Sequence, residues 1–165
     1  MKYLLDTNIC IYVIRRKPLR VLARFTQQAV GEIGVSSITV GELAYGVQRS
    51  RDVGKNRSAL EQFLLPLTIL PFDRAAALEY GNVRASLAEQ GRPSGPLDTL
   101  IGAQALASNL TLVTNNVREF RRIPGLAVEN WARECRSRRH LCPGQPGSNV
   151  RGVETPPTAG KHRCS

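Results

Sequence analysis

Apolar positions along this chain fall into short runs and helical stripes that alternate from one end to about residue 131. Lys2–Leu5 reads as a short buried strand that stops at Asp6. Asn8–Ile14 is apolar at helical spacing, and Pro18 opens a second helix whose face is Leu19, Leu22, Ala23 and Phe25. Gly34–Ser37 predicts a second strand and turn, followed by a helix to about Gln48 with Leu43, Ala44 and Val47 as its stripe. Ser50–Lys55 is charged, contains Gly54 and reads as a loop before a helix over Asn56–Leu64. Thr68–Phe72 predicts a third strand. Arg74–Gln90 predicts an amphipathic helix with Ala77, Leu78, Gly81, Ala85 and Ala88 on related turns. The loop Gly91–Pro96 breaks it, and Leu97–Asn109 is an alanine-rich apolar helix. Leu110–Thr114 predicts a fourth strand, Asn115–Phe120 a short turn or helix, and Leu126–Asn130 a last strand.

Strands alternating with helices predict an α/β fold around a mostly parallel sheet. In such sheets, chemistry gathers at the carboxyl ends of the strands. Asp6 ends the first strand, and Asn115 and Asn116 follow the fourth. After Trp131 the pattern fails. Residues 132–165 are rich in Pro, Gly, Ser and Arg, lack apolar periodicity and read as a basic, disordered extension.

Composition narrows the picture. The chain has 165 residues, 42% hydrophobic, enough for one domain with a substantial core. No apolar run approaches the roughly 18–20 residues of a membrane span. The N-terminal apolar patch is interrupted by Asp6 and lacks a cleavage signature, so a cytoplasmic protein is expected. Cys10, Cys135, Cys142 and Cys164 match no zinc-ligand spacing. Both histidines, His140 and His162, lie in the extension, which excludes histidine acid–base catalysis in the compact part. The net charge is +10, and residues 132–165 hold seven basic and two acidic residues. A basic surface suits a polyanion such as nucleic acid, although charge alone also serves solubility. Phosphate-loop, dinucleotide, zinc-protease and nucleophile-elbow motifs are absent.

Acids at element boundaries are the remaining candidates. Asp6 is a carboxylate at the end of an apolar strand, or the cap of the helix that follows. Glu42 is a site acid, or the far end of a capping box in Thr39-Val-Gly-Glu42. Asp98 is a site acid, or a first-turn residue placed by the helix dipole. In Thr114-Asn115-Asn116-Val-Arg-Glu119 the asparagines are turn residues or ribose and phosphate contacts, and Glu119 is a site acid or faces Arg121 or Arg122. Hard divalent cations take oxygen ligands, so a cluster of these acids would hold Mg²⁺ or Mn²⁺.

With those residues in view, the chain resembles the PIN-domain superfamily, and within it the VapC toxins of toxin–antitoxin pairs. The segments that carry the resemblance are MKYLLDTNICIYVI, SSITVGELAYGV and GPLDTLIGAQALASNLTLVTNNVREFRRIPGLAVENW. They span residues 1–131, which the resemblance makes a PIN-like three-layer α/β/α domain. It implies a set of acids around Mg²⁺ or Mn²⁺, with Asp6, Asp98 and Glu42 as ligands. The family's fourth acid falls at Asn116, a departure: either Asn116 serves through its carbonyl oxygen or on the substrate, or Glu119 supplies the missing carboxylate. Thr7, Asn8, Thr114 and Asn115 would orient the carboxylates or the substrate; Arg92, Arg118 and Arg121 are candidates for phosphate contacts or are solvated surface charges. The implied activity is hydrolysis of RNA phosphodiesters, with initiator tRNA as the substrate of the enterobacterial group that the sequence resembles most. Implied partners are a VapB-type antitoxin, a second copy of the chain, and operator DNA bound through the antitoxin. A non-catalytic module acting only with its antitoxin is the alternative that Asn116 raises. Residues 132–165 would lie beyond the family's usual end.

Overall fold

The computed structural model describes residues 1–91 and 95–133. A five-stranded sheet forms the middle layer, in the order β3-β2-β1-β4-β5 with every neighbouring pair parallel. β1 (Tyr3–Leu5) is central, set between β2 (Ile33–Ser36) and β4 (Thr111–Val113). Its register pairs Leu5 with Val35 on one side and Val113 on the other. β3 (Thr68–Leu70) and β5 (Val128–Glu129) are the edges.

Strand alternation sends side chains to two separate cores. Tyr3, Leu5, Val35 and Val113 join one core with α1 (Thr7–Ile14), α2 (Leu19–Thr26), α3 (Ser37–Gln48) and α4 (Val53–Leu64). Leu4 and Leu112 join the other with α5 (Arg74–Glu89), α6 (Pro96–Ala107) and α7 (Val117–Phe120). This is the expected α/β/α sandwich, and its parallel sheet is fully rather than mostly so. No helix among the described residues is long and apolar enough to cross a membrane.

Element boundaries move by one to three residues from the sequence reading. α4 begins at Val53, inside the predicted loop, because Asp52 caps it by accepting the Lys55 amide at 3.0 Å. Two helix faces need larger correction. On α5 the predicted residues Ala77, Leu78, Gly81, Ala85 and Ala88 are all exposed. The buried stripe is Ala76, Val83 and Leu87, with Tyr80 partly covered. Both stripes have the helical period, and the one with the bulkier side chains faces the core. On α2, Val21 is buried, Leu22 and Phe25 are half-buried, and Leu19 and Ala23 face outward.

Gly34 is the tightest strand position. A Cβ there would collide with Met1 Sδ, stand 2.6 Å from Leu70 Cδ1 and 3.0 Å from the Thr68 carbonyl oxygen. Gly34→Val is expected to cost about 1–3 kcal/mol through overpacking. Urea denaturation would show it as a lower midpoint at unchanged slope.

Candidate active site

Three crossovers bring the acids to one end of the sheet. β1 stops at Leu5, and the next residue, Asp6, caps α1 while its own amide donates to the Val113 carbonyl at 3.0 Å. Asp6 is 3% exposed. Its Oδ1 accepts from the Thr7 amide at 2.8 Å and its Oδ2 from the Thr114 hydroxyl at 2.7 Å. The capping and site readings of Asp6 are therefore compatible: one oxygen faces the helix end, the other the loop after β4.

The capping box predicted at Thr39 and Glu42 is not formed. Ser36 at the end of β2 caps α3 instead, accepting from the Ile38 amide at 3.0 Å. Glu42 thus lies well inside the helix, and its Oε2 accepts from the Thr7 hydroxyl. Asp98 sits in the first turn of α6, behind Gly95 and Pro96. The Asn116 side-chain amide donates to its Oδ2 at 3.4 Å. Thr114 links the two ends, since its hydroxyl oxygen also accepts the Asn116 backbone amide at 2.9 Å.

The acids feel one another's charge. Burial pushes Asp6 up to about 6, and the charges of Asp98 and Glu42 add to the rise against the opposing bonds from Thr114 and Thr7. Asp98 is raised too, by burial first and then by Glu42 and Glu119, with the Asn116 amide opposing. Among the described residues no cation pairs with Asp6, Glu42 or Asp98. Nor do three acidic, histidine or cysteine side chains close into a ready-made cage. The donor set is all oxygen, mutually repelling and uncompensated by any base among the described residues. That chemistry fits Mg²⁺ or Mn²⁺, ions that keep several waters and need only one or two carboxylates from the protein.

The other expected residues divide. Glu119 is half-buried and holds Arg122 at 2.9 Å, so its carboxylate is already paired, though its charge is felt at Asp98. Asn115 turns from the acids and donates to the Tyr12 hydroxyl at 2.9 Å. Asn8 is exposed on α1, and Arg118 and Arg121 are exposed on and just after α7. Arg92 lies outside the described residues. Tyr12, the partner of Asn115, is not legible in the sequence, where its hydroxyl sits in an apolar helix and carries no periodic signal.

Comparison with known proteins decides the family. The PIN-domain family pattern matches residues 3–126. The chain belongs to the PIN-domain family, in its VapC group. It is 49% identical over 131 residues to Ribonuclease VapC2 of Haemophilus influenzae, covering 79% of this chain and 98% of that one. It is 44% identical over 132 residues to the tRNA(fMet)-specific endonuclease VapC of Shigella flexneri, covering 80% and 99%. A solved DNA-bound VapBC from Salmonella typhimurium superposes with a TM-score of 0.76 at 42% identity, covering 79% of this chain and 98% of that one. Each of these relatives is covered almost end to end, and about a fifth of this chain is left unmatched.

Proposed function

We propose that this chain is the toxin of a toxin–antitoxin pair: an endoribonuclease dependent on Mg²⁺ or Mn²⁺ that cuts tRNA, with the initiator tRNA anticodon region as target, and so stops translation. The observation that carries the reading is that Asp6, Glu42 and Asp98, from three distant segments, feel one another's charge with no neutralising base among the described residues. Relatives named as ribonucleases, one of them a tRNA(fMet)-specific endonuclease, support the substrate class. Solved VapBC assemblies, some bound to DNA, support a VapB-type antitoxin and operator DNA as partners. A homodimer in the cytoplasm completes the proposal, with residues 132–165 as an appendage that the PIN domain does not need.

Asp6, Asp98 and Glu42 would hold the ion. When bound, it supplies Lewis-acid activation of water and neutralises charge developing on phosphate oxygens. The protein's own part is positional. Thr114 fixes the Asp6 carboxylate, Thr7 fixes Glu42, and Asn116 fixes Asp98. Glu42, half-buried and held by one hydroxyl, is placed to accept a proton from the attacking water. Asn116 brings an amide where a fourth carboxylate would add charge, so one ion is proposed rather than two.

Purified, antitoxin-free protein incubated with a tRNA pool and Mg²⁺ or Mn²⁺ is expected to leave 5′-phosphate and 3′-hydroxyl ends. EDTA should stop the cutting, and Asp98→Asn should slow it by roughly 10²-fold or more. If the folded wild-type protein cuts neither tRNA nor total RNA with either metal, the neutral Asn116 marks a domain that acts only as its antitoxin's partner.

A further inference from the structure

Residues 7–31 contain Arg15, Arg16, Lys17, Arg20 and Arg24 and no acidic side chain. All five are exposed, and four of them are gathered where α1 ends and α2 begins. Arg24 is committed to Glu129 at 3.5 Å. The other four have no ion-pair partner among the described residues. Like charges held this close repel one another with no return inside the fold, which points to an external polyanion. Arg15 also lines a cleft of about 210 Å³ whose walls include Glu42, Ser50 and Asn56. The basic end of α1 and the acidic site thus share one continuous surface.

We propose that Arg15, Arg16, Lys17 and Arg20 form a docking site for the substrate's RNA backbone, away from the bond that is cut. The proposal rests on the ribonuclease reading. Arg15 stands nine residues beyond Asp6, about 13 Å along α1 at helical rise. A stacked strand advances about 3.4 Å per nucleotide, so the grip falls about four nucleotides from the scissile phosphate. A strand with a phosphate at every step meets both places at once, the ion held by the acids and the cationic cluster. An acidic peptide meets only the second and is repelled by Glu42 on the way.

The test compares wild type with the fourfold variant Arg15→Gln, Arg16→Gln, Lys17→Gln and Arg20→Gln. Arg84→Gln, on α5 across the sheet, is the charge control. On a tRNA pool the fourfold variant is expected to raise KM roughly tenfold or more at unchanged kcat. The slope of log affinity against log salt should flatten by up to about 3, at roughly 0.7 per lost phosphate contact. On a trinucleotide, too short to reach the cluster, the two proteins should cut alike. Unchanged KM and salt slope on tRNA would overturn the proposal. So would an equal loss on the trinucleotide, or weakened binding of polyglutamate with tRNA binding intact. Should wild type cut nothing, fluorescence anisotropy with the same tRNA pool still reads the docking site, so the two readings fail separately.

Discussion

Asp6→Asn is expected to abolish RNA cleavage and, at the same time, to stabilise the metal-free protein. The loss follows from the proposed role of Asp6 as a ligand of the ion: forfeiting several kcal/mol of transition-state stabilisation lowers the rate roughly 10³-fold. The gain follows from linkage. The Asp6 carboxyl titrates near 6 in the fold against an ordinary value of 3.8, so the folded state binds its proton more tightly than the unfolded chain does. Its contribution to stability is therefore fully present below about pH 4 and is lost as pH rises through 6. At pH 7.5 the buried charge costs about 2–3 kcal/mol. A neutral amide avoids that cost, and the Thr114 hydroxyl can turn to accept from it. Differential scanning calorimetry in EDTA should show a melting temperature roughly 5–10 °C higher than wild type at pH 7.5, with the gap closing toward pH 4. Adding Mg²⁺ should stabilise wild type and leave the variant unmoved, since only a binding-competent fold gains from mass action. A variant that melts lower than wild type at pH 7.5, or that still cuts, would remove Asp6 from the role assigned here.

Trp131→Ala has the largest expected effect on folding. Trp131 is 2% exposed, its ring meets Tyr3 edge-on with centroids 5.1 Å apart, and its indole N–H donates to Glu129 at 2.9 Å. It closes the core that also holds Leu5, Val35 and Val113, directly beneath β1. Truncation leaves a large cavity, at a cost of about 3–5 kcal/mol. By contrast, a chain stopped after Arg133 retains every described element and should melt and cut as the full chain does. Chemical denaturation of the three proteins side by side checks both statements. A cost under 1 kcal/mol for Trp131→Ala, or collapse of the shortened chain, would show that the domain ends elsewhere.

The sequence was most informative where chemistry and periodicity coincide. Asp6 could be placed because a carboxylate ending an apolar run has few inexpensive fates, and the strand it ends is the central one. The order of strands and helices was legible for a similar reason: every element but β4 and β5 has a proline, a glycine or a charge at one boundary at least. Faces of helices were less so. On α5, two stripes of the same period compete, and only packing against α6 decides that Val83 and Leu87 turn inward while Leu78 does not. The fate of Glu42 also depended on something no local pattern contains. Its capping-box spacing was sound, but the helix began three residues earlier, at Ser37, which put Glu42 within reach of Thr7. Glu119 shows the converse: its spacing from Arg122 was visible, whereas its distance from Asp98 was set by the turn after β4.

The central position of β1 has a consequence for the order of synthesis. Asp6 leaves the ribosome early, but Thr114, its hydroxyl partner, follows 108 residues later, and the strand that flanks β1 on that side comes with it. At about 5–20 residues per second, that interval lasts roughly 5–20 seconds. Throughout it, the first carboxylate exists without the loop that holds it, and for most of it without Asp98. A nascent chain thus carries no assembled site until nearly the whole domain has been made.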